Sequence, residues 1–382
     1  MTQVTGTWLN GAGTQALFDL FETAGHQLFC VGGCVRNALL DQPVADIDMA
    51  TDATPPTVSA LCEDAGLRVI PTGMSHGTVT VISDDIPFEI TTFRKDVATD
   101  GRHATVAYSA TVEEDARRRD FTMNALYAGR DGSVLDPTGG LDDVARRNIR
   151  FIGDAGARIA EDYLRILRFF RFYAWYGDPG EGIDAEGLAA CAEGADGLDG
   201  LSRERVGAEM CKLLSAPDPA PAVAAMGQSG ILARVMPGAD AGILAILVHL
   251  ENGMTPDWSR RALALGGGDL KADWRLSNSD ASDLAMARGD LASDASVAEL
   301  AYRFGSGHAR NVALVRAASL QRPVDPDLED EIARGAAAEF PIKAADLMPA
   351  FQGADLGEKL RQLKQEWIAS DFTSSRAALL DL

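Results

Sequence analysis

Every strand-like run in this 382-residue chain lies before about residue 140, and the pattern after it is helical to the end. The runs "QLFCVGG", "DIDMAT", "GTVTVI" and "FEITTF" are rich in Val, Ile, Thr and Phe, the side chains that fit a pleated sheet. Between them "VRNALL" reads as a short helix. "PPTVSALCEDAG" reads as a longer one, opened by Pro and closed by Gly. Residues 13–25, "GTQALFDLFETAG", form an amphipathic pattern that ends at Gly25. The last strand falls in "SVLDPTGG", Ser133–Gly140. The chain therefore reads as α+β, a small mixed sheet with helices followed by an all-helical remainder.

The helical part begins with "GARIAEDYLRILRFFRFYAWYG". Its apolar residues at 159, 163, 166, 167 and 170 predict one helix, stopped by Gly177-Asp178-Pro179-Gly180. "SRERVGAEMCKLLSAP" predicts another, with Ser202 at its N-cap. The chain shows no internal repeat.

A composition of 46% hydrophobic and 24% charged residues is that of an ordinary soluble globular protein. No run approaches the roughly 18 apolar residues of a membrane span. The start, "MTQVTGTWLNGAGTQ", lacks the basic-then-apolar order of a signal peptide. The expectation is a cytoplasmic protein with no membrane contact. Five cysteines are few and odd in number. Cys30 and Cys34 stand four apart, not at the two-residue gap of redox and zinc motifs, so buried reduced thiols with no disulfide partner are expected.

The net charge of −21 argues against non-specific nucleic-acid binding, but its distribution matters more. Residues 1–100 carry 4 basic and 13 acidic side chains. Residues 101–180 carry 12 of each, and every basic one is Arg, the side chain suited to planar contacts with phosphate and base edges.

Four constellations carry chemistry. Asp46-Ile47-Asp48 on a strand would point both carboxylates to one face, where they repel unless a cation lies between them. Mg²⁺ takes one or two such carboxylates together with substrate phosphates. Asp-x-Asp alone is also common on surfaces. Upstream, Gly32-Gly33 follows an apolar strand and opens a helix with Arg36 in its first turn. Such a turn lets backbone N–H groups approach a phosphate. The dinucleotide fingerprint would need a third glycine where Arg36 stands, so that reading fails and a triphosphate tail suits better. Glu89 sits on a predicted strand that a hairpin can bring beside the pair. It reads equally as a third carboxylate and as a solvated strand residue.

In "ARRRDFTMNALY", residues 116–127, Arg119, Asp120 and Asn124 are expected on one helical face. There they can meet phosphate and ribose, or simply make a charged helix start. Further on, Asp162 and Arg165 are three apart and hence expected as surface neighbours. One acceptor beside one planar donor can present a hydrogen-bonding edge to a base, although an isolated pair of this kind is usually a plain salt bridge. Arg168 and Arg171 extend a basic stripe from Arg165.

Taken in order, "VGGCVRNALL…DIDMAT", "GTVTV…FEITTFRKD", "RRDFTMNAL", "LDPTGGLDD", "EDYLRILRFFRF" and "SRERVGAEMCKLL" resemble the class II tRNA nucleotidyltransferase and bacterial poly(A) polymerase family. The likeness covers roughly residues 28–214. It implies a polymerase-β-like nucleotidyltransferase head over 1–140, a helical neck that recognises the base over 141–215, and a helical, tRNA-binding body and tail over 216–382. It implies Mg²⁺ on Asp46 and Asp48, with Glu89 as a third carboxylate. Gly32, Gly33 and Arg36 would meet the triphosphate. Arg119 and Asp120, with Asn124, would hold phosphate and sugar. Asp162 and Arg165 would pair with the base of CTP or ATP, and Arg168 and Arg171 would complete the pocket. The segment "RKDVATDGRHATVAY" corresponds to a family loop that helps switch from CTP to ATP. Two positions depart from the pattern. Asn37 stands where Asp is common, and His103 follows Arg102 where a second Arg and Pro are common.

The implied activity is template-independent addition of CCA to the tRNA 3′ end, releasing pyrophosphate. Poly(A) synthesis and partial CC or A addition are the rivals within the family. The chain ends in "EWIASDFTSSRAALLDL" with no basic run, which favours a compact tRNA over arbitrary RNA. A non-catalytic RNA-binding relic would be expected to have lost part of the set Asp46, Asp48, Asp162 and Arg165, and all four are present. A small-molecule nucleotidyltransferase would not need the long helical remainder. None of the five His residues precedes Asp, so no His-Asp phosphohydrolase site is expected.

Overall fold

The computed structural model describes residues 2–71, 73–100 and 103–382, in two compact units, Met1–Val235 and Met236–Leu382. The strands among these residues all lie in the first unit. They are β1 (Leu28–Val31), β2 (Ile47–Thr51), β3 (Arg68–Ile70), β4 (Thr78–Ser83), β5 (Ile86–Thr92), β6 (Arg94–Asp100), β7 (His103–Tyr108), β8 (Tyr127–Ala128) and β9 (Val134–Leu135). Seven form one mixed sheet in the order β3-β4-β5-β2-β1-β8-β9, and β6 and β7 form a separate ribbon. The ribbon covers the segment read from sequence as a loop; Arg102 of that segment lies outside the described residues.

The helices of this unit are α1 (Thr7–Asn10), α2 (Ala12–Thr23), α3 (Gly33–Leu39), α4 (Pro55–Asp64), α5 (Val112–Arg117), α6 (Gly140–Arg146), α7 (Ala155–Glu161), α8 (Leu164–Tyr176), α9 (Ala185–Glu193), α10 (Arg203–Leu214), α11 (Ala220–Gln228) and α12 (Ile231–Val235). The sheet packs against α2 and α4, which bury Leu17, Phe18, Phe21, Val58 and Cys62. A further core joins Val31 and Ala50 of the sheet to Phe93, Val112, Ala116, Tyr127 and Ile152. Cys30, Cys34, Cys62 and Cys191 are buried thiols. Among the described residues no helix is long and apolar enough to cross a membrane.

Sheet register positions the acids. β4 and β5 form an antiparallel hairpin turned by Asp84 and Asp85, both at positive φ. β5 then runs parallel to β2, which sets Glu89 opposite Asp48. The predicted hairpin exists, but parallel pairing is what brings Glu89 to the acidic pair. Alternation along β2 places Asp48 and Ala50 on one face and Ile47, Met49 and Thr51 on the other.

Two helix expectations are corrected. Residues 118–127 are not helical. Asp120 lies in a bend, Phe121 is extended and bridged to Phe151, and a single 3₁₀ turn spans Thr122–Asn124. The reason is competition for the backbone. The Phe121 amide bonds the Asp120 carboxylate at 2.8 Å, while the Thr122 amide and the Ile152 amide pair across to Arg150 and Asp120 carbonyls. Gly140 lets the start of α6 lie against the 3₁₀ turn, since a Cβ there would be 2.2 Å from the Thr122 carbonyl oxygen.

The single helix expected from residue 156 onward is two helices. Asp162 is extended (φ −156°, ψ 104°), and its Oδ1 accepts the Leu164 amide at 3.1 Å to start α8. The break seats the Tyr163 ring against Gly197, where a Cβ would come within 2.0 Å of it. Ser202 stands at the N-cap of α10, as expected, but its side chain makes no capping bond.

Aromatic packing fixes the irregular segment to α8. Phe121 meets Phe151, Phe172 and Phe169 at centroid separations of 4.9, 5.0 and 6.3 Å. Such pairs add to their area burial.

The second unit is helical. It buries Glu251 between Arg260 and Arg261, with one carboxylate oxygen bonded to each at 2.7 Å. Further along it gathers Ile342, Leu347, Leu363, Trp367 and Leu379 into a separate core.

Phe121→Ala is expected to lower stability by about 3–5 kcal/mol, because a fully buried ring leaves a cavity between two elements. Ile86→Ala, exposed on β5, is expected to change it by less than about 0.5 kcal/mol. Urea denaturation followed by circular dichroism checks both.

Candidate active site

The site is built at the β1–α3 turn and the adjoining edge of β2. Gly32 holds φ 75° and ψ −118°, a conformation that strains any residue with a side chain. Gly33 opens α3, and a Cβ there would stand 3.7 Å from Arg36 Nη2, in ordinary contact. Position 33 is therefore not forced to Gly by packing.

Asp46 is exposed just ahead of β2, Asp48 is half-buried within it, and Glu89 is exposed across from it. Burial raises the Asp48 carboxyl first, and the charges of Glu89 and Asp46 push it further in the same direction. The Arg119 and Arg36 guanidiniums pull it back. The three carboxylates thus repel within one field, with Arg119 and, to a lesser degree, Arg36 as compensation. Among the described residues no group of three or more His, Cys, Asp or Glu side chains closes into a protein cage for a metal. One or two carboxylates with open space is the share that a protein gives Mg²⁺ when substrate phosphates supply the rest, so the donor set fits that ion.

Arg119 lies over the glycine turn. A Cβ on Gly32 would sit 3.7 Å from its Nη1. Its other two nitrogens bond Asp115 Oδ2.

Behind the turn runs a buried polar chain. Arg36 Nη1 donates to Asn124 Oδ1 at 2.5 Å, and Asn124 Nδ2 donates to Asp120 Oδ1 at 2.9 Å. Arg168 donates twice to Asp120 Oδ2, at 2.8 and 2.5 Å. Arg36 also donates to the Tyr176 hydroxyl at 2.9 Å and lies 4.0 Å from the Tyr176 ring centroid. Only 6% of Arg36 is exposed, so it meets protein acceptors here and not open pocket. Burial would raise the Asp120 carboxyl, but Arg168, Asn124 and the Phe121 amide bring it down to about 2. Arg119, Asp120 and Asn124 are brought together, though by a bend and a 3₁₀ turn instead of a helical face.

At the other end, Asp162 and Arg165 do not pair with each other. Asp162 Oδ2 accepts Arg205 Nη2 of α10 at 2.6 Å. Arg165 bonds Glu161 and the Arg158 carbonyl. Acceptor and donor remain close along the chain, each with its own partner. The expected basic stripe is neutralised residue by residue, Arg165 by Glu161, Arg168 by Asp120 and Arg171 by Glu209 at 2.6 Å. Arg36, Arg168 and Arg171 all gather within 5.4 Å of the Phe172 ring centroid.

Sequence reasoning missed Asp115, Tyr127, Tyr176, Phe172, Arg205 and Glu209. Asp115 alone had a local signal, its four-residue spacing from Arg119. Arg36 and Tyr176 are 140 residues apart, and no local pattern links them.

The chain matches two family models, "Poly A polymerase head domain" over residues 28–150 and "Probable RNA and SrmB- binding site of polymerase A" over residues 182–243. It is 45% identical over 156 residues to the mitochondrial CCA tRNA nucleotidyltransferase 1 of Homo sapiens, covering 41% of this chain and 36% of that one. This chain thus spans little over a third of that relative. It is 35% identical over 335 residues to the CCA-adding enzyme of Geobacillus thermodenitrificans, covering 84% and 80% of the two. Its structure superposes on that of the Bacillus stearothermophilus CCA-adding enzyme in complex with CTP with a TM-score of 0.76 and 27% identity, over 94% and 93% of the chains.

The two lowered carboxylates set a pH dependence. Burial would raise Asp115 as well, but Arg119, Arg118 and the Tyr127 hydroxyl bring it to about 2. A carboxylate lowered on folding stabilises the protein above its unfolded value near 3.9, and that contribution is lost as pH falls through the folded value. Stability is expected to fall between about pH 5 and pH 2, each group contributing on the order of 2 kcal/mol. Asp120→Asn is expected to lower stability at neutral pH, by leaving Arg168 unpaired, and to flatten the acid slope. Urea melts across pH 2–7 test this; an unchanged slope in the variant counts against it.

Proposed function

This chain belongs to the family of class II CCA-adding enzymes and bacterial poly(A) polymerases, and on that premise we propose that it adds CCA to the 3′ end of tRNA. CTP and ATP are the substrates, no nucleic-acid template is used, and pyrophosphate is released. The observation that carries the reading is the meeting of Asp48 and Glu89 in β-sheet register beside the Gly32 turn, with Arg119 above it.

In this reading Asp46 and Asp48 hold Mg²⁺, with Glu89 alongside. The ion, when bound, supplies charge neutralisation at the reacting phosphate and its leaving group. The chain's own residues bind and orient. Gly32, Gly33 and Arg119 take the triphosphate, over a floor set by the buried Asp120. Arg36, Asn124 and Arg168 brace Asp120 from behind. Asp162 offers an acceptor and Arg165 a donor to the base, oriented by Arg205 and Glu161. Arg171, held by Glu209, closes the pocket. The head extends to about residue 140, the neck to about 215, and residues 216–382 receive the tRNA. The compartment of this reading is the cytoplasm.

Asp48→Ala is expected to abolish nucleotide addition with the circular dichroism spectrum unchanged, and near-wild-type activity would remove Asp48 from the site. The reaction itself is tested with tRNA ending at the discriminator base, at CC and at CCA, supplied with CTP and ATP singly and together, followed by product sequencing. Addition that stops at CCA is expected. A long A tail on any RNA would replace this reading with poly(A) synthesis.

A further inference from the structure

Asp115 has no part in the reaction proposed above, yet it is the most heavily bonded carboxylate around the pocket. It is 0% exposed. Its Oδ2 accepts Arg119 Nε at 3.2 Å, Arg119 Nη2 at 3.0 Å and the Tyr127 hydroxyl at 2.7 Å. Its Oδ1 accepts Arg118 Nε at 2.8 Å and the Arg94 amide at 3.3 Å. The Tyr127 hydroxyl also accepts Arg119 Nε at 3.0 Å, which closes a triangle of Asp, Arg and Tyr.

We infer that Asp115 is a positioning residue for nucleotide binding: it holds the Arg119 guanidinium over the Gly32–Gly33 turn, where a triphosphate would lie. The inference rests on the reading of that turn as the nucleotide pocket.

The geometry carries it in three steps. First, two of the three Arg119 guanidinium nitrogens are committed to one carboxylate oxygen, which fixes the plane of the group. Second, the remaining nitrogen, Nη1, has only a long 3.5 Å bond to the Asn124 carbonyl, and it is the atom nearest the Gly32 turn. The Asp115 contact thus sets which edge of Arg119 the pocket receives. Third, Arg118 and Arg119 are adjacent like charges that would separate if the carboxylate between them were lost. An arginine without an anchor spreads over many rotamers, and a ligand must then bear the entropy of ordering it. Asp115 removes that cost before the nucleotide arrives. Because Arg119 faces the glycine turn and not the base-reading pair, the effect is expected to be equal for CTP and ATP.

The experiment measures equilibrium affinity for CTP and for ATP by dialysis, which needs no turnover. Asp115→Asn is expected to weaken both nucleotides about tenfold, by the same factor, as loss of a charged hydrogen-bond acceptor allows. Arg118→Gln, on the other carboxylate oxygen, is expected to leave both affinities unchanged. In an Arg119→Gln background Asp115→Asn is expected to add nothing, because the two residues act through one contact. A merely structural role would lower the melting temperature and the number of binding sites while leaving the affinity of the remaining sites unchanged. That result, or independent effects in the double variant, overturns the inference. If Asp115→Asn does not fold, Tyr127→Phe removes one bond to the same oxygen without changing charge. A two- to threefold loss that vanishes in the Arg119→Gln background is then expected, and an unchanged affinity overturns the inference. Because affinity is read directly, these outcomes stand whether or not the RNA product assay supports CCA addition.

Discussion

The Asp120 carboxylate is the point on which the rest of the site depends. One oxygen receives Asn124 and the Phe121 amide, and the other receives Arg168 of α8. Through Asn124 it also reaches Arg36 of α3, and through Arg36 it reaches Tyr176 at the far end of α8. A buried carboxylate is costly unless its lone pairs are filled, and here cation and amide donors fill them. The same bonds keep residues 118–124 out of helix. Phe121 is thereby turned into the ring cluster of Phe151, Phe169 and Phe172. Packing and polar bonding therefore act on the same few residues, which makes the junction between sheet and helices rigid where a pocket needs a fixed floor.

The charge pattern has a related logic. Arginine is concentrated between residues 101 and 180, yet Arg118, Arg119, Arg165, Arg168 and Arg171 each have a carboxylate partner within 3.2 Å or closer. These residues do not form an open electropositive face. They are oriented donors, each held by a carboxylate that also limits its freedom. In a chain of net charge −21 such pairing keeps the guanidiniums oriented without creating general affinity for polyanions. Asp46, Asp48 and Glu89 are the opposite case. Glu89 and Asp46 act on Asp48 through their charges, with Arg119 and Arg36 as only partial compensation, an arrangement that favours a cation from solution.

Much of this was legible along the chain. The four main strands, the helix after the glycine pair and the helical remainder all follow from local composition and period. The acids Asp46 and Asp48 were legible as a spaced pair, although β2 begins at Ile47 and only Asp48 lies within it. Glu89 was legible as a candidate, but its neighbour was not, because parallel pairing of β2 with β5 is a non-local choice. The helix expected over residues 116–127 ends at Arg117 for a definable reason. Helical spacing in "RRDFTMNAL" is real, but Asp120 competes for its own backbone and the 149–152 segment offers a partner strand. The helix through residue 162 failed in the same way, where an Asp side chain starts a new helix and Tyr163 finds Gly197.

By itself the sequence determined which residue types were present: a glycine turn, an acidic pair at the start of a strand, and a run of closely spaced arginines. These are properties of residue types at short separation, and short separation is what propensity and periodicity encode. Only the tertiary structure decided the pairings. Asp162 goes to Arg205, Arg171 to Glu209, Arg36 to Asn124 and Tyr176, and Arg119 to Asp115 and Tyr127. Most of these bonds span tens of residues. Their formation depends on desolvation and on the close approach of separate elements, and neither quantity exists until the chain has packed.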